Sequence, residues 1–237
     1  MEYQLDKFKE GLEKLNITLS DDQIEQFLSY YEMLIEKNKV MNLTTITEYE
    51  EVIEKHFLDS ISLCKVYDLS KSVKVLDMGT GAGFPGIPLK IAFPEIEITL
   101  ADSLNKRIKF LDEVIEKLEL KKVKTIHARA EELARNKGYR ESYDLVVSRA
   151  VANLSTLGEY CIPFVKKGGL FISYKSGEIE EEVNGAKKAI SILGGQMKDV
   201  FKFELSNQKR SFVIIEKEKE TPKAYPRKAR TPAKMPL

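Results

Sequence analysis

The sequence predicts an α/β fold: a mostly parallel sheet of seven strands with helices on both faces. A helical extension precedes the sheet and an antiparallel hairpin closes it. Three observations predict this. From Val73 onward, short runs rich in β-branched residues alternate with helical patterns, as strands joined by right-handed crossovers do. A glycine-rich run, Gly79-Thr-Gly-Ala-Gly-Phe-Pro-Gly86, follows the first of these strands. The last two strand-like runs are separated only by Ser206-Asn-Gln-Lys209, which is too short for anything but a hairpin.

The elements follow in order. Leu5, Phe8, Leu12 and Leu15 recur at three and four residues, the helical period. Ser20 with Gln23 reads as a capping box. Ile24, Phe27, Leu28, Tyr31, Leu34 and Ile35 make the apolar stripe of the helix it opens. Residues 38–45 read as a polar connection. Thr47 with Glu50 reads as a second capping box, opening a helix through Val52, Ile53, Phe57 and Ile61. Residues 1–70 are thus expected to form a helical cap. Strands are expected at 73–76, 96–101, 123–127, 143–148, 169–174, 196–205 and 210–217. Helices are expected at 86–93, 104–118, 130–136, 154–164 and 178–193. These make residues 71–220 the main domain. Residues 221–237 contain half of the chain's 8 prolines, together with Lys223, Arg227, Lys228, Arg230, Lys234 and no acid. They read as an extended basic arm suited to RNA phosphate, with a docked tail over the sheet edge as the alternative.

Composition excludes several classes. The 38 basic and 37 acidic side chains leave a formal charge of +1, so any basic surface must come from local segregation. Cys64 and Cys161 are the only cysteines, too few for a disulfide framework or a structural zinc site. Both read as small buried apolar residues. The polar, acidic start of the chain has no signal-peptide pattern. No apolar run approaches the ~18 residues that span a bilayer. The expectation is a cytoplasmic protein with no metal and no membrane.

The glycine-rich run lets backbone approach a nucleoside-like ligand, because glycine has no side chain in the way and tolerates positive φ. Two ligands compete. Gly81-Ala-Gly-Phe-Pro-Gly86 matches the dinucleotide fingerprint. Gly79-Thr-Gly-Ala-Gly83 after Asp77 resembles the first motif of S-adenosylmethionine-dependent methyltransferases. The turn begins ahead of the dinucleotide match, and Phe84 and Pro85 crowd the helix start that a diphosphate would need. Dehydrogenase folds of this kind also keep their sixth strand parallel and add a substrate domain.

In open α/β sheets, ligands bind beyond the carboxyl ends of the strands. Asp102 ends the second strand, about 20 residues after Gly81, where a carboxylate accepts hydrogen bonds from ribose hydroxyls. A helix N-cap is its bland alternative. The third strand ends in His127-Ala-Arg-Ala-Glu131 and the fourth in Ser148-Arg-Ala-Val151. Glu131 suits an adenine, or else a helix N-terminus. No Asn/Asp-Pro-Pro-Tyr clamp for an exocyclic amine follows the fourth strand, and neither cysteine sits at a strand end to attack a pyrimidine. A ring nitrogen with a free lone pair, such as purine N7, needs neither group. Arg149 then positions substrate or cofactor, with a structural salt bridge as the alternative, and no general base is expected. His56 and Asp59, three apart on one helix face, could pair catalytically or orient the cap. His127 reads as structural.

These residues together resemble the small-subunit ribosomal RNA guanine-N7 methyltransferase family, also called glucose-inhibited division protein B. The likeness rests on Met41-Asn-Leu-Thr44, His56-Phe-Leu-Asp-Ser60, the run from Asp77 to Leu89, Ala101-Asp-Ser-Leu-Asn-Lys-Arg107, Ala128-Arg-Ala-Glu131, Ser148-Arg-Ala-Val151 and Tyr225-Pro-Arg-Lys228. Ala128 and Ala229 stand where the family often has glycine. The resemblance implies a class I S-adenosylmethionine-dependent methyltransferase (Rossmann-like) fold. It implies S-adenosylmethionine as cofactor, held by Gly79, Gly81, Gly83, Phe84, Asp102, Ser103, Ala130, Glu131 and Arg149. It implies a guanine of 16S ribosomal RNA, near the decoding centre of the small subunit, as substrate. A monomer is expected, although nothing in the sequence fixes the oligomeric state.

Overall fold

All seven expected strands pair into one sheet of order β3-β2-β1-β4-β5-β7-β6. A computed structural model describes residues 3–149 and 152–237. The strands are β1 (Lys74–Met78), β2 (Glu97–Asp102), β3 (Val123–His127), β4 (Tyr143–Ser148), β5 (Val165–Ser176), β6 (Gly195–Leu205) and β7 (Gln208–Lys217). The central strand β1 pairs in parallel with β2 (Leu76↔Thr99) and β4 (Leu76↔Val146). β7 inserts antiparallel between β5 and β6. Ser206 and Asn207, both at positive φ, make the two-residue turn whose twist matches that of its strands.

Strand alternation divides the interior into two cores. Val75, Leu145, Val147, Ile172 and Phe212 face the amino-terminal helices. Leu76, Val146, Phe171, Val213 and Ile215 face the other helical layer. The central strands are therefore apolar on both sides, as a covered parallel sheet requires.

The amino-terminal helices are α1 (Asp6–Lys14) and α2 (Asp21–Met41), followed by a continuous helical rod: α3 (Tyr49–Val52), a π turn (Ile53–Leu58) and α4 (Asp59–Ile61). Ser20 and Gln23 form the expected capping box. The buried face of α2 differs from the stripe read in the sequence. Phe27, Tyr30 and Leu34 are fully buried, whereas Ile24, Leu28, Tyr31 and Ile35 are half-buried. The Tyr30 hydroxyl donates to the Ala82 carbonyl at 2.6 Å, which satisfies its polar tip inside the core. Residues 38–41 are helical rather than a connection, because α2 runs on to a left-handed cap at Asn42. The second capping box does not form: Glu48 is the N-cap and makes no side-chain cap bond. The Thr47 carbonyl instead accepts from the Tyr31 hydroxyl at 3.0 Å.

The crossover helices are α5 (Gly86–Ala92), α6 (Asn105–Lys117), α7 (Ala130–Leu133), α8 (Leu154–Cys161) and α9 (Glu180–Ile192). α8 ends before Pro163, and a 3₁₀ turn (Ile162–Phe164) completes the run. β5 starts earlier than expected. Its Lys166-Lys-Gly-Gly169 looks like a turn, but Gly168 at φ +79° carries the strand through an irregular register beside Tyr143 and Leu145.

The basic tail is packed, which corrects the extended arm expected from its composition. It also lies on α7 and α8, not on the sheet edge. The buried Lys217 ammonium holds Thr221 Oγ1 at 2.8 Å and Glu141 at 2.9 Å. Arg140 donates to the carbonyls of Thr221 and Tyr225, and Thr156 to that of Pro232. Proline has no N–H to satisfy, and its carbonyl remains a good acceptor. Arg227 grips Glu159, which is fully buried on α8. The last element is α10 (Thr231–Lys234).

Candidate active site

Strand order reverses between β1 and β4, the place where such sheets bind ligands. A cavity of about 860 Å³ opens there. The turn after β1 forms one wall. The Gly79 and Thr80 amides donate to the Ala101 carbonyl, which splays the chain away from β1. Gly81 has φ +62°, and nothing lies within 4 Å of where a β carbon would project. That open cradle lets a ligand lie against backbone. Behind the turn, buried Asp77 accepts from Thr80 Oγ1 at 2.7 Å and from the Gly86 amide at 2.8 Å. Burial pushes its carboxyl up to about 7.

Most of the expected site residues meet at this cavity. Gly79, Gly81, Phe84, Asp102, Ser103 and Arg149 line it, as do Ala130 and Glu131. Gly83 does not. Its missing side chain makes room for Ile87, Leu111 and the Tyr30 hydroxyl, so it serves packing of the amino-terminal helices against the turn. Asp102 accepts from the amides of Gly81 and Leu104 and from Arg107 Nη1. It thus fixes the turn from the end of β2 and keeps acceptor capacity towards the cavity. Buried Glu131 accepts from the Arg230 amide at 2.9 Å, tying the tail to the cavity wall. Cys161 is buried and Cys64 half-buried. His127 is exposed, with Nε2 3.1 Å from the Ser103 carbonyl. Of the run 148–151, Ala150 and Val151 lie outside the described residues.

Arg149, at the end of β4, joins three parts of the chain. Nη1 donates to Asp59 Oδ2 at 3.0 Å and to the Lys55 carbonyl at 3.0 Å. Nη2 lies 3.0 Å from His56 Nδ1. The π turn exposes the Lys55 carbonyl and presents His56 and Asp59 to one guanidinium. His56 and Asp59 therefore share Arg149 instead of pairing with each other. Arg210 Nε takes the second Asp59 oxygen at 2.8 Å, and His56 Nε2 lies 2.9 Å from Thr44 Oγ1. His56 stacks on Phe84 with centroids 4.4 Å apart, and the Arg149 guanidinium lies 4.9 Å from the same ring. Arg210 and Tyr30 escaped sequence reasoning. A cation opening a strand and a tyrosine one residue off the stripe carry little signal.

Burial, and then the neighbouring Arg149 charge, lower the His56 pKa to about 3. The imidazole is neutral, with Nδ1 accepting from Arg149 and Nε2–H donating to Thr44. Below about pH 6.5 the unfolded chain takes up a proton that the folded chain refuses until about pH 3. This group's contribution to stability therefore falls as pH falls through that window. Asp77 works oppositely, since its folded carboxyl keeps a proton up to about pH 7. The comparison of His56→Gln with the parent isolates the histidine. Relative to the parent, the variant should gain about 2 kcal/mol between pH 7 and pH 4.5 in urea unfolding. Parallel pH profiles for the two proteins would refute a neutral buried His56.

The doubly covered sheet, its antiparallel β7 and a glycine-walled cavity at the switch point define a class I, Rossmann-like S-adenosylmethionine-dependent methyltransferase. Solved structures share this fold at low identity. TrmN from Thermus thermophilus matches with a TM-score of 0.53 and 16% identity, over 68% of this chain and 48% of that one. The Methanococcus jannaschii fibrillarin pre-rRNA processing protein matches with 0.53 and 16%, over 68% and 74%. M. jannaschii TYW2, solved in complex with AdoMet, matches with 0.52 and 18%, over 62% and 70%. The family model described as rRNA small subunit methyltransferase G, GidB, matches residues 23–213. The proteins named ribosomal RNA small subunit methyltransferase G from Lachnoclostridium phytofermentans and Acetivibrio thermocellus are 56% and 52% identical. They align over 97% and 96% of this chain, and over 96% and 94% of their own lengths. The chain belongs to the rRNA small subunit methyltransferase G family. Among the described residues, no helix is long and apolar enough to cross a membrane.

Proposed function

We propose that this chain transfers a methyl group from S-adenosylmethionine to N7 of a guanine in 16S ribosomal RNA, as a cytoplasmic monomer that needs no metal. The observation that carries the choice of atom is the state of the groups around Arg149. Both ring nitrogens of His56 are engaged. The Cys161 thiol is buried and its pKa pushed up. The site is thus poorly equipped to remove a proton from an amine or to attack a pyrimidine ring. Guanine N7 has an available lone pair and needs neither service.

The cavity suits the cofactor on the chemistry of its groups. Gly81 leaves a bare cradle, Asp102 offers a carboxylate for a ribose diol, and Glu131 with the Ala130 backbone suits an adenine edge. Gly79, Phe84 and Ser103 complete the wall, and Arg149 keeps Nε–H and one Nη2–H for a carboxylate or for guanine O6. When bound, the cofactor supplies an electrophilic methyl on a sulfonium. The chain supplies orientation, which can lower a barrier by about 7–11 kcal/mol at best. Phe84, covered on one face by the bonded pair of His56 and Arg149, is a fixed wall against which the purine lies. Residues 1–70 act as a cap, 71–220 as the methyltransferase domain and 221–237 as a tail that finishes the pocket.

Small subunits from cells lacking this protein, incubated with it and radiolabelled cofactor, should yield 7-methylguanosine on nuclease digestion and mass spectrometry. Label on an exocyclic amine or a pyrimidine carbon would overturn the choice of atom. Tight NAD binding without S-adenosylhomocysteine binding would overturn the cofactor.

A further inference from the structure

We propose that Arg129 and Arg230 form a phosphate clamp across the mouth of the cavity, gripping a single-stranded RNA backbone while one base enters. The inference rests on the function proposed above and deepens it. Arg107, Arg135, Arg140, Arg149, Arg210 and Arg227 each donate to an acceptor within the protein. Among the described residues, the guanidiniums of Arg129 and Arg230 have no such partner, and both line the cavity. Both residues are exposed.

One carboxylate brings them together. Arg129 precedes Glu131 by two positions, immediately before α7. Arg230 is held from the other side, its amide on Glu131 Oε1 at 2.9 Å and its φ at +67°. Glu131 itself is only 5% exposed. Each arginine is thus rooted in fixed backbone while its charged head stays free. A guanidinium fork matches the oxygens of a phosphate, and such contacts set the register of a nucleic acid on a protein.

The surroundings fit a strand with exposed bases. Three large apolar side chains are exposed among the described residues: Val40 (79%), Leu104 (42%) and Met235 (67%). Each lies within two positions of a cavity-lining residue, namely Asn42, Ser103 and Ala233. Exposed apolar side chains next in sequence to cavity-lining residues offer surface to unstacked nucleotides, and single-stranded RNA is bound through such bases. The chain's near-zero net charge makes this local pairing of cations the more telling.

The test compares the parent with Arg129→Gln/Arg230→Gln and Arg129→Lys/Arg230→Lys. Cosedimentation with small subunits from cells lacking the protein, over about 50 to 200 mM salt, gives affinity and salt slope. Calorimetry with S-adenosylhomocysteine gives cofactor affinity. The glutamine pair should bind subunits on the order of tenfold more weakly. Its salt slope should fall by about 0.7 for each guanidinium removed. Cofactor affinity and thermal midpoint should not move, and the lysine pair should regain most of the slope. An unchanged slope overturns the clamp. So does cofactor affinity falling in step with subunit affinity, because the arginines would then hold the cofactor carboxylate. If the parent binds subunits through this clamp but transfers no methyl group, the proposed function fails and the clamp stands.

Discussion

Arg149→Ala is expected to lower methyl transfer on the order of 10²-fold or more, at saturating cofactor and subunits. The guanidinium fixes His56, Asp59 and the Lys55 carbonyl at once, and it lies over the Phe84 ring. Removing it frees the aromatic wall, and small misplacement of reacting groups costs about this much. Stability should also fall, by about 2–3 kcal/mol, because charge-assisted bonds in a buried setting are lost. Arg210 limits the damage by keeping one Asp59 oxygen. Single-turnover transfer and urea midpoints separate the two effects. If transfer falls only by the fraction of protein unfolded, Arg149 is a structural brace. Arg149→Lys sharpens the test. A lysine restores charge without the fork, so stability should partly return while transfer stays low.

The second large effect is expected at Arg227→Ala. Glu159 is fully buried, and Arg227 supplies it with side-chain bonds from Nε and Nη2, the latter at 2.7 Å. Truncating the cation strands a buried carboxylate, at a cost of about 3–5 kcal/mol. The folded core can escape that cost by releasing the tail. Limited proteolysis should therefore cut within residues 221–237 of the variant and spare the parent. Cofactor affinity should fall with it, because Glu131 loses the Arg230 amide. Arg227→Ala combined with Glu159→Gln removes the stranded charge and should regain most of the lost stability. A protease-resistant Arg227→Ala protein would show that the other tail contacts suffice.

Much of the fold was legible because it is written in local patterns. Periodicity changes at Val73, and Ser206-Asn207 leaves no room for a crossover, so the strand count and the hairpin follow from the sequence. The Ser20-Gln23 box is likewise a local device. What failed depends on distant partners. Thr47 and Glu50 have capping-box spacing, but the Thr47 carbonyl is engaged by Tyr31. Tyr30 looks like an outward tyrosine until the Ala82 carbonyl, 52 positions away, is brought to its hydroxyl. The tail reads as an arm because the carboxylates that hold it, Glu131 and Glu159, lie in other elements. The site divides in the same way. Gly79, Gly81 and Asp102 were legible from strand-end logic, whereas Gly83 shares their motif and serves packing. The bond between Arg149 and His56 crosses 93 positions, and no local rule anticipates it.

The order in which the chain is synthesised gives the docked tail a further consequence. Arg227 meets Glu159 across 68 positions, and Arg230 meets Glu131 across 99. Every strand of the sheet has left the translating ribosome before either contact can form. A nascent chain halted after Lys217 would carry the whole sheet and the glycine turn, yet its pocket would stand open on the α7–α8 side. Closure of the pocket is thereby timed to the last stage of translation.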